Sequence, residues 1–340
     1  MTDPGPLVYT VIVNWNRWED TLACVRSVLA SSHTHLRVIV CDNASTDDSL
    51  AHLTRWLKDR QLATRVLSEH DVTRIATQGA STCHPERVVL ITNTDNHGYA
   101  GGTNVGLRYA MACRETEYIW ILNNDTTVAR DALRHMVQRL RETGAGICGA
   151  RIVEWDFQET VQAYGGNTYC RATGLAQRLD TSRFHGREPT PEEVEERLSY
   201  ISGACALVTS EFIRIIGLMS ERYFLYFEEL DWLARAAGRF KLAYAQNASV
   251  RHREGASVGS HPHQEKRSLT SEYYLMRARM LYACRFSPLW LPSILLVALA
   301  RTLRVWPRDR QRSTVMLRAV ADGLRGREGR VSLDFNRADR

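Results

Sequence analysis

The stretch 118–126, YIWILNNDT, constrains this chain most. An apolar, β-branched run ends abruptly in two amides and a carboxylate. That pattern reads as a buried parallel strand delivering Asp125 to the carboxyl edge of a sheet, where ligands of open α/β sheets bind. Read alone, Asp125 equally fits a cap for a following helix. Residues 8–14 (VYTVIVN) and 36–43 (LRVIVCDN) repeat the pattern, the second ending in Asp42. Residues 19–31 between them carry Leu22, Val25, Val28 and Leu29 at helical spacing. After Asp42, Ser45, Thr46 and Asp47 can cap the next helix. The first hundred residues therefore read strand, helix, strand, helix, strand, and predict a parallel sheet with crossover helices.

The third strand is expected over residues 87–93 (RVVLITN). The glycine-rich stretch from Asn96 through Gly102 and Asn104 to Gly106 follows and opens a helix running to Arg114. Glycine lets backbone approach a ligand, and a helix N-terminus attracts phosphate. The spacing matches neither GxGxxG nor a Walker A loop, so a nucleotide diphosphate is allowed without being specified.

Composition narrows the partners. A chain of 340 residues with 44% hydrophobic content supports one large domain with an appendage, or two domains. The net charge of +6, almost wholly from arginine, suits anionic partners such as sugar nucleotides or membrane headgroups. No dense basic block with interleaved aromatics is present, which argues against nucleic acid. The eight cysteines lack CxxC or zinc spacing. Cys41, Cys148 and Cys205 sit in apolar runs and read as core. With no secretory signal, the expectation is a reducing, cytoplasmic protein.

Past Asp125 a helix is expected over 130–142, a strand over 144–153, and a loop or flap over about 154–197. Residues 199–208 (SYISGACALV) resume a core-like run, with Gly203 where a side chain would be in the way. Residues 70–86 read as a polar insertion with no functional account. In 223–232 (YFLYFEELDW) aromatic residues lead into Glu228, Glu229 and Asp231. First-turn carboxylates favour the helix dipole, and Asp231 can pair with Arg235 one turn on. Three acids among so many rings also fit a desolvated site whose carboxyl works as a base. In 248–258 (ASVRHREGASV), His252 follows a strand-like run. Lone histidines are seldom ligands, but Asp125 and His252 together can share a divalent ion with diphosphate oxygens.

Seven ordered motifs, VIVNWN, CDNASTDDS, NHGYAGGTN, LNNDT, SGAC, FEELDW and RHREGAS, resemble the family 2 glycosyltransferases of GT-A fold, especially their rhamnosyltransferase-like branch. The resemblance covers about residues 8–259 and continues loosely to about 329. It implies an α/β, GT-A (Rossmann-like), mostly parallel sheet flanked by helices, with a C-terminal helical extension. The catalytic domain would span 1–265, split into a nucleotide-binding half (about 1–126) and an acceptor half (about 127–265), with the extension over 266–340. It implies that Asp42 holds the nucleotide base, with Asn14 and Asn43 beside it. Asn96, Gly102 and Asn104 would lie near the diphosphate. Asn123, Asn124 and Asp125 match the metal motif, Asp125 ligating Mg²⁺ or Mn²⁺ and His252 completing the shell. Glu228 and Glu229 match the family's Glu-Asp pair, whose second member is the proposed base. Glutamate stands here for aspartate, so Glu228 and Asp231 stay open beside Glu229. Two amides in the metal motif imply modest metal affinity.

The activity implied is inverting, metal-dependent transfer of a sugar to a hydroxyl of a saccharide or lipid-linked acceptor in cell-surface polysaccharide synthesis. The donor favoured is dTDP-L-rhamnose, with UDP- and GDP-sugars as alternatives. A non-catalytic sugar-nucleotide-binding domain is the reading from a different class. A nucleotidyltransferase would need a basic phosphate loop, for which VNWNRWED (13–20) is poor. In the tail, Arg277 and Arg279 can reach phosphate or line a solvated helix face. Residues 289–300 form an apolar run flanked by Trp290, Arg301, Arg304 and Trp306, about a dozen long, where spanning a bilayer needs ~20. A helix in a membrane interface, at the inner face of the cell membrane, and a core or homodimer helix both fit.

Overall fold

The computed structural model describes residues 5–78, 86–157, 160–179, 187–253 and 267–333. Among them the chain begins β1 (Leu7–Asn14), α1 (Trp18–Leu29), β2 (Leu36–Asp42), α2 (Ser49–Asp59), β3 (Thr64–Ser68), α3 (Glu69–Gln78), β4 (Val88–Thr92), α4 (Gly98–Ala112) and β5 (Thr116–Asn123). These strands lie in the order β5-β1-β2-β4-β3, every pair parallel. The apolar runs expected as strands form β1, β2, β4 and β5. β3 carries no such run, so the expected third strand is the fourth. Within the expected polar insertion, residues 70–78 are the body of α3. The rest of the expected insertion, 79–85, lies outside the described residues.

Beyond β5 the pairing changes. The next elements are β6 (Thr126–Val128), α5 (Ala132–Thr143), β7 (Ile147–Glu154), β8 (Val161–Tyr164), β9 (Gly166–Cys170), β10 (Leu175–Arg178), α6 (Pro191–Glu195), β11 (Tyr200–Ile201), β12 (Cys205–Thr209), α7 (Ser210–Ile216), α8 (Glu228–Ala236) and β13 (Leu242–His252). β12 inserts antiparallel between β5 and β7, and β8, β9 and β10 continue antiparallel. The expected α/β class holds, with a mixed sheet whose parallel run is confined to the N-terminal half apart from the β7–β13 pair. The stretch expected as a flap is largely these short strands and α6, whose Thr190 and Glu193 form a reciprocal capping box.

Alternation along the strands feeds two helix layers. Val8, Ile12, Val38 and Trp120 meet α1, α2 and α5 on one face. Tyr9, Val11, Ile39 and Ile121 meet α4, α7 and α8 on the other. Cys41, Cys148 and Cys205 are buried, as expected. Cys113 is disulfide-bonded.

The extension comprises α9 (Leu269–Phe286), α10 (Leu291–Val305) and α11 (Arg310–Leu324), with a core of its own around Tyr273, Met280, Ile294 and Met316. The expected domain boundary near residue 265 falls outside the described residues. Arg277 and Arg279 are both buried, so neither stands on a solvated helix face. Arg277 Nη2 donates to the carbonyls of Tyr223 (2.8 Å) and Gly329 (2.7 Å), which ties the tail to the catalytic half. Burial lowers the Arg279 pKa to about 10.

Candidate active site

The carboxyl edge of the parallel strands opens into a cavity of about 540 Å³. Its floor comes from the ends of β1 and β5, one wall from α8, another from β9–β11, and the far side from α9 and the tail.

At the end of β5 the chain turns straight into β6, whose antiparallel register places Thr126 opposite His252 of β13. Strand pairing thus brings Asp125 to His252. His252 Nε2 lies 3.3 Å from Asp125 Oδ1, and the backbone N–H of Arg253 donates to the Asp125 carbonyl (3.0 Å). Asp125 is buried and its Oδ1 has no hydrogen bond. His252 Nδ1 is 2.7 Å from Gln162 Oε1. Donation to that oxygen leaves the Nε2 lone pair aimed at the carboxylate, as in histidines whose second nitrogen is fixed for metal binding. Two electron-rich atoms facing each other in a buried site fit a cation between them. Among the described residues no cluster of three or more His, Cys, Asp or Glu is present, so a cation here would find only this pair among such side chains. Asn123 and Asn124 line the same floor, Asn123 Nδ2 lying 3.5 Å from His252 Nε2 and Asn124 Nδ2 donating to Thr21 Oγ1 at 3.0 Å.

Asn43 and Asn96 also line the cavity. Asn43 accepts from Asn93 Nδ2 (3.0 Å) and donates to Asn96 Oδ1 (3.0 Å) and the Gly98 carbonyl (3.0 Å), which shapes the glycine-rich loop. Gly98 has φ +72°, and a Cβ there would lie 2.2 Å from the Phe224 carbonyl oxygen. Glu69, at the start of α3, braces the loop from outside, accepting from Thr94 N (3.1 Å) and Oγ1 (2.9 Å).

Four expected donor contacts do not line the cavity. Asp42 is buried and accepts from Asn14 Nδ2 (2.8 Å), Ser45 Oγ (2.6 Å) and Ser45 N (3.1 Å). Asn14 spends its amide there and its Oδ1 on Thr21 Oγ1 (2.6 Å). Asn104 is turned to Met219 and Glu221. Gly102 lies where α4 meets β1, a Cβ coming 2.9 Å from Val13 Cγ1. All four hold the loops that carry the lining residues.

The approach to α8 is strained. Phe224, Tyr226 and Phe227 have φ of +67°, +69° and +72°, a region that costs a bulky residue about 1–3 kcal/mol. The result is that Glu228 and Glu229 both line the cavity. Burial, then the charge of Glu229, pushes Glu228 well above the usual carboxylate range, and its Oε1 has no hydrogen bond. Burial raises Glu229 to about 7. Gly203 gives it room, because a Cβ there would fall 1.8 Å from Glu229 Oε1. Tyr99 Oη donates to the Gly203 carbonyl at 2.7 Å beside it. Asp231 takes no part in the cavity. Fully buried, it accepts from Tyr223 Oη (2.8 Å) and Arg235 Nε (2.7 Å), with Arg285 Nη1 at 3.3 Å. The helix-pairing reading holds for this acid.

Two more residues at the site, Gln162 against His252 and Arg330 in the lining, carry no signal in the sequence, and Tyr99 lies inside NHGYAGGTN with nothing to set it apart there. Among the described residues, Arg330 is the one arginine or lysine lining the cavity, delivered by the tail and held to Asp95 Oδ1 at 2.7 Å. No motif marks it.

The sheet and its two helix layers are those of the GT-A glycosyltransferases. GalNAc-T7, solved with UDP, GalNAc and Mn²⁺, superposes with a TM-score of 0.56 at 16% identity, covering 83% of this chain and 49% of that one. The mannosyltransferase PcManGT from Pyrobaculum calidifontis, solved with GDP-Man and Mn²⁺, gives 0.54 at 14% identity over 96% and 90%. S. aureus TarS 1–349 with UDP-GlcNAc gives 0.54 at 13% over 94% and 81%. The family model described as glycosyl transferase family 2 matches residues 9–207, and the chain belongs to that family. The low-salt glycan biosynthesis hexosyltransferase Agl10 of Haloferax volcanii is 26% identical over 157 residues, 45% of this chain and 48% of that relative, so the match spans about half of it. The family match ends before α8 and His252.

Proposed function

We propose that the protein is an inverting glycosyltransferase that moves L-rhamnose from dTDP-L-rhamnose to a hydroxyl of a lipid-linked saccharide, at the inner face of the cell membrane. The observation that carries the reading is one cavity holding the Asp125–His252 pair on its floor and Glu229, raised to about 7, on its wall.

Asp125 Oδ1 and His252 Nε2 would hold Mg²⁺ or Mn²⁺, with donor oxygens and water completing the shell. A bound divalent ion supplies Lewis-acid charge for the leaving diphosphate. Asn43 and Asn96 shape the loop over the donor, and Asp42 and Asn14 hold that wall from behind. Glu229 takes the proton from the acceptor hydroxyl as it attacks C1 of the sugar, and one displacement with one base inverts that carbon. Burial, then the charge of Glu229, favours the neutral form of Glu228, which spares Glu229 a second charge and leaves it the better base. The far wall, with Phe224, Leu225, Tyr274, Leu275, Val331 and Leu333, is apolar and suits an acceptor with an apolar portion. The rhamnose assignment rests on the ordered motifs. The solved neighbours carry UDP, GDP-Man and UDP-GlcNAc, which keeps other nucleotides in the test.

The experiment is thermal stabilisation by dTDP-, UDP- and GDP-sugars with and without Mn²⁺, followed by sugar transfer. A metal-dependent shift with dTDP-rhamnose, absent in Asp125→Ala, is expected. A shift with another nucleotide replaces the donor, and no shift with any nucleotide removes the transferase reading.

A further inference from the structure

The apolar run near the C-terminus is longer than its dozen strongly apolar residues imply. The stretch Pro288–Val305 is long and apolar enough to cross a membrane by length and composition, yet only 17% of it is buried. α10 uses one face for the extension core, where Ile294, Ala298 and Thr302 are buried at helical spacing. Ser293 Oγ donates to the Ala172 carbonyl (2.6 Å) and Ser313 Oγ to the Thr302 carbonyl (3.3 Å). Crossing a bilayer would strip these bonds.

The opposite face has no protein partner among the described residues. Leu296 and Leu303 are each 68% exposed, Leu299 lies between them, and Leu289, just before the helix, is 92% exposed. Trp290 and Trp306 stand exposed at the two ends. A contiguous apolar face of this kind marks an interaction site. Its charge names the partner. α10 carries no acidic residue, and Arg304, Arg308 and Arg310 are exposed beside its C-terminal end. Leucines on one face, tryptophans at the ends and arginines at the rim are the pattern of a helix lying in a membrane interface over anionic headgroups.

We propose that α10 docks this protein on an anionic bilayer, lying in the plane of the surface with Leu296, Leu299 and Leu303 inserted and the rim arginines on lipid phosphates. The same extension supplies Tyr274, Leu275 and the tail residues Val331 and Leu333 to the apolar wall of the cavity. Docking therefore ties that wall to the surface that would carry a lipid-linked acceptor. This last step rests on the proposed acceptor. The docking itself does not.

The test is flotation of the full chain with vesicles of phosphatidylcholine alone or mixed with phosphatidylglycerol, at low and high salt. Binding is expected to the mixed vesicles, weaker at high salt, and released by alkaline carbonate. Leu296→Asp with Leu303→Asp should lower the bound fraction at least about tenfold, since a charge in the inserted face opposes burial. The thermal shift with sugar nucleotide should stay unchanged in that variant. Arg304→Gln with Arg308→Gln should flatten the salt dependence. Should the aspartate variant fail to fold, Leu296→Ser with Leu303→Ser replaces it, with a lipid-induced fluorescence blue shift lost in Trp290→Phe/Trp306→Phe as the second readout. No flotation with either vesicle, or resistance to carbonate, overturns the proposal. So does a wild-type dimer that Leu296→Asp/Leu303→Asp splits without any change in flotation. Loss of nucleotide binding with flotation intact would count against the transferase reading alone.

Discussion

Two strand ends at the same sheet edge put an aspartate in nearly the same place and treat it oppositely. Asp42, closing β2, has hydrogen bonds from one amide, one hydroxyl and one backbone N–H. Asp125, just past β5, is as deeply buried, yet its Oδ1 has no hydrogen bond and faces an imidazole nitrogen. A satisfied buried carboxylate holds structure, and an unsatisfied one waits for a cation or costs stability. The sequence patterns are alike, and only the partners tell the two apart.

The largest expected effects break this comparison directly. Asp125→Asn should abolish the metal-dependent stabilisation by sugar nucleotide and cut transfer by about 10²–10⁴-fold, while leaving thermal stability equal or raised, because an uncompensated buried charge is gone. Asp42→Asn should do the reverse. It loses partners worth about 1–3 kcal/mol and lowers the melting temperature by about 1–4 °C, with the nucleotide shift retained. Calorimetry of both variants with and without donor and Mn²⁺, together with transfer rates, separates the two roles. A stable Asp42→Asn that no longer binds nucleotide would make Asp42 a direct donor contact after all.

A similar contrast lies within one helix. Glu229 faces the cavity and Asp231, two residues on, faces Arg235 and Arg285. Transfer should rise with pH through about 7, as Glu229 loses the proton that burial makes it keep. Glu229→Gln should lose that limb and fall by about 10²–10⁴-fold. The stability sign is opposite. With its folded pKa above the ordinary 4.5, Glu229 favours the fold most below that value, and the contribution is lost as pH climbs towards 7. Glu229→Gln should therefore melt higher than wild type at pH 8. A pH–rate profile unchanged in Glu229→Gln would hand the base role to Glu228.

Much of the fold and part of the site are legible in the sequence, for reasons that differ by region. β1, β2, β4 and β5 are continuous apolar runs, and buried parallel strands leave that trace. β9 (GNTYC) and β10 (LAQR) are short and half polar, so they read as loop. β3 (TRVLS) buries only Leu67 and leaves no strand signal. The acidic motif of α8 is plain in the sequence, but which acid faces the cavity depends on Tyr223 and on Arg285 from α9, and no local pattern encodes that. The strain at Phe224, Tyr226 and Phe227 is hidden because no glycine marks it. Gly203 stands out as a gap, and its reason is Glu229.

A smaller effect should follow from filling that gap. Gly203→Ala puts a methyl 1.8 Å from Glu229 Oε1 and must displace the carboxylate. A misplaced base should lower kcat by about 10–100-fold with donor KM unchanged, since the donor floor is untouched. Equal losses in both constants would mean that the whole wall had moved.

The smallest expected effect sharpens the contrast between the acids of the floor and α8 wall and the cation that the tail brings to the far side. Asp125, Glu228 and Glu229 line the cavity, and Arg330 stands against them. The tail is anchored by backbone, with Gly329 N donating to Arg222 O (2.8 Å) and Val331 N to Tyr274 Oη (3.0 Å), so the side chain of Arg330 can change without freeing the tail. Asp95 holds Arg330 when no anion is present, and a nucleoside diphosphate would compete for it. Arg330→Gln should raise donor KM by about three- to tenfold with kcat unchanged, and the difference should shrink in high salt. Asp95→Asn should shift KM the other way, because the guanidinium then has no rival carboxylate. Parallel shifts in both variants would mean that the pair closes the loop as a unit and that neither charge acts on the donor.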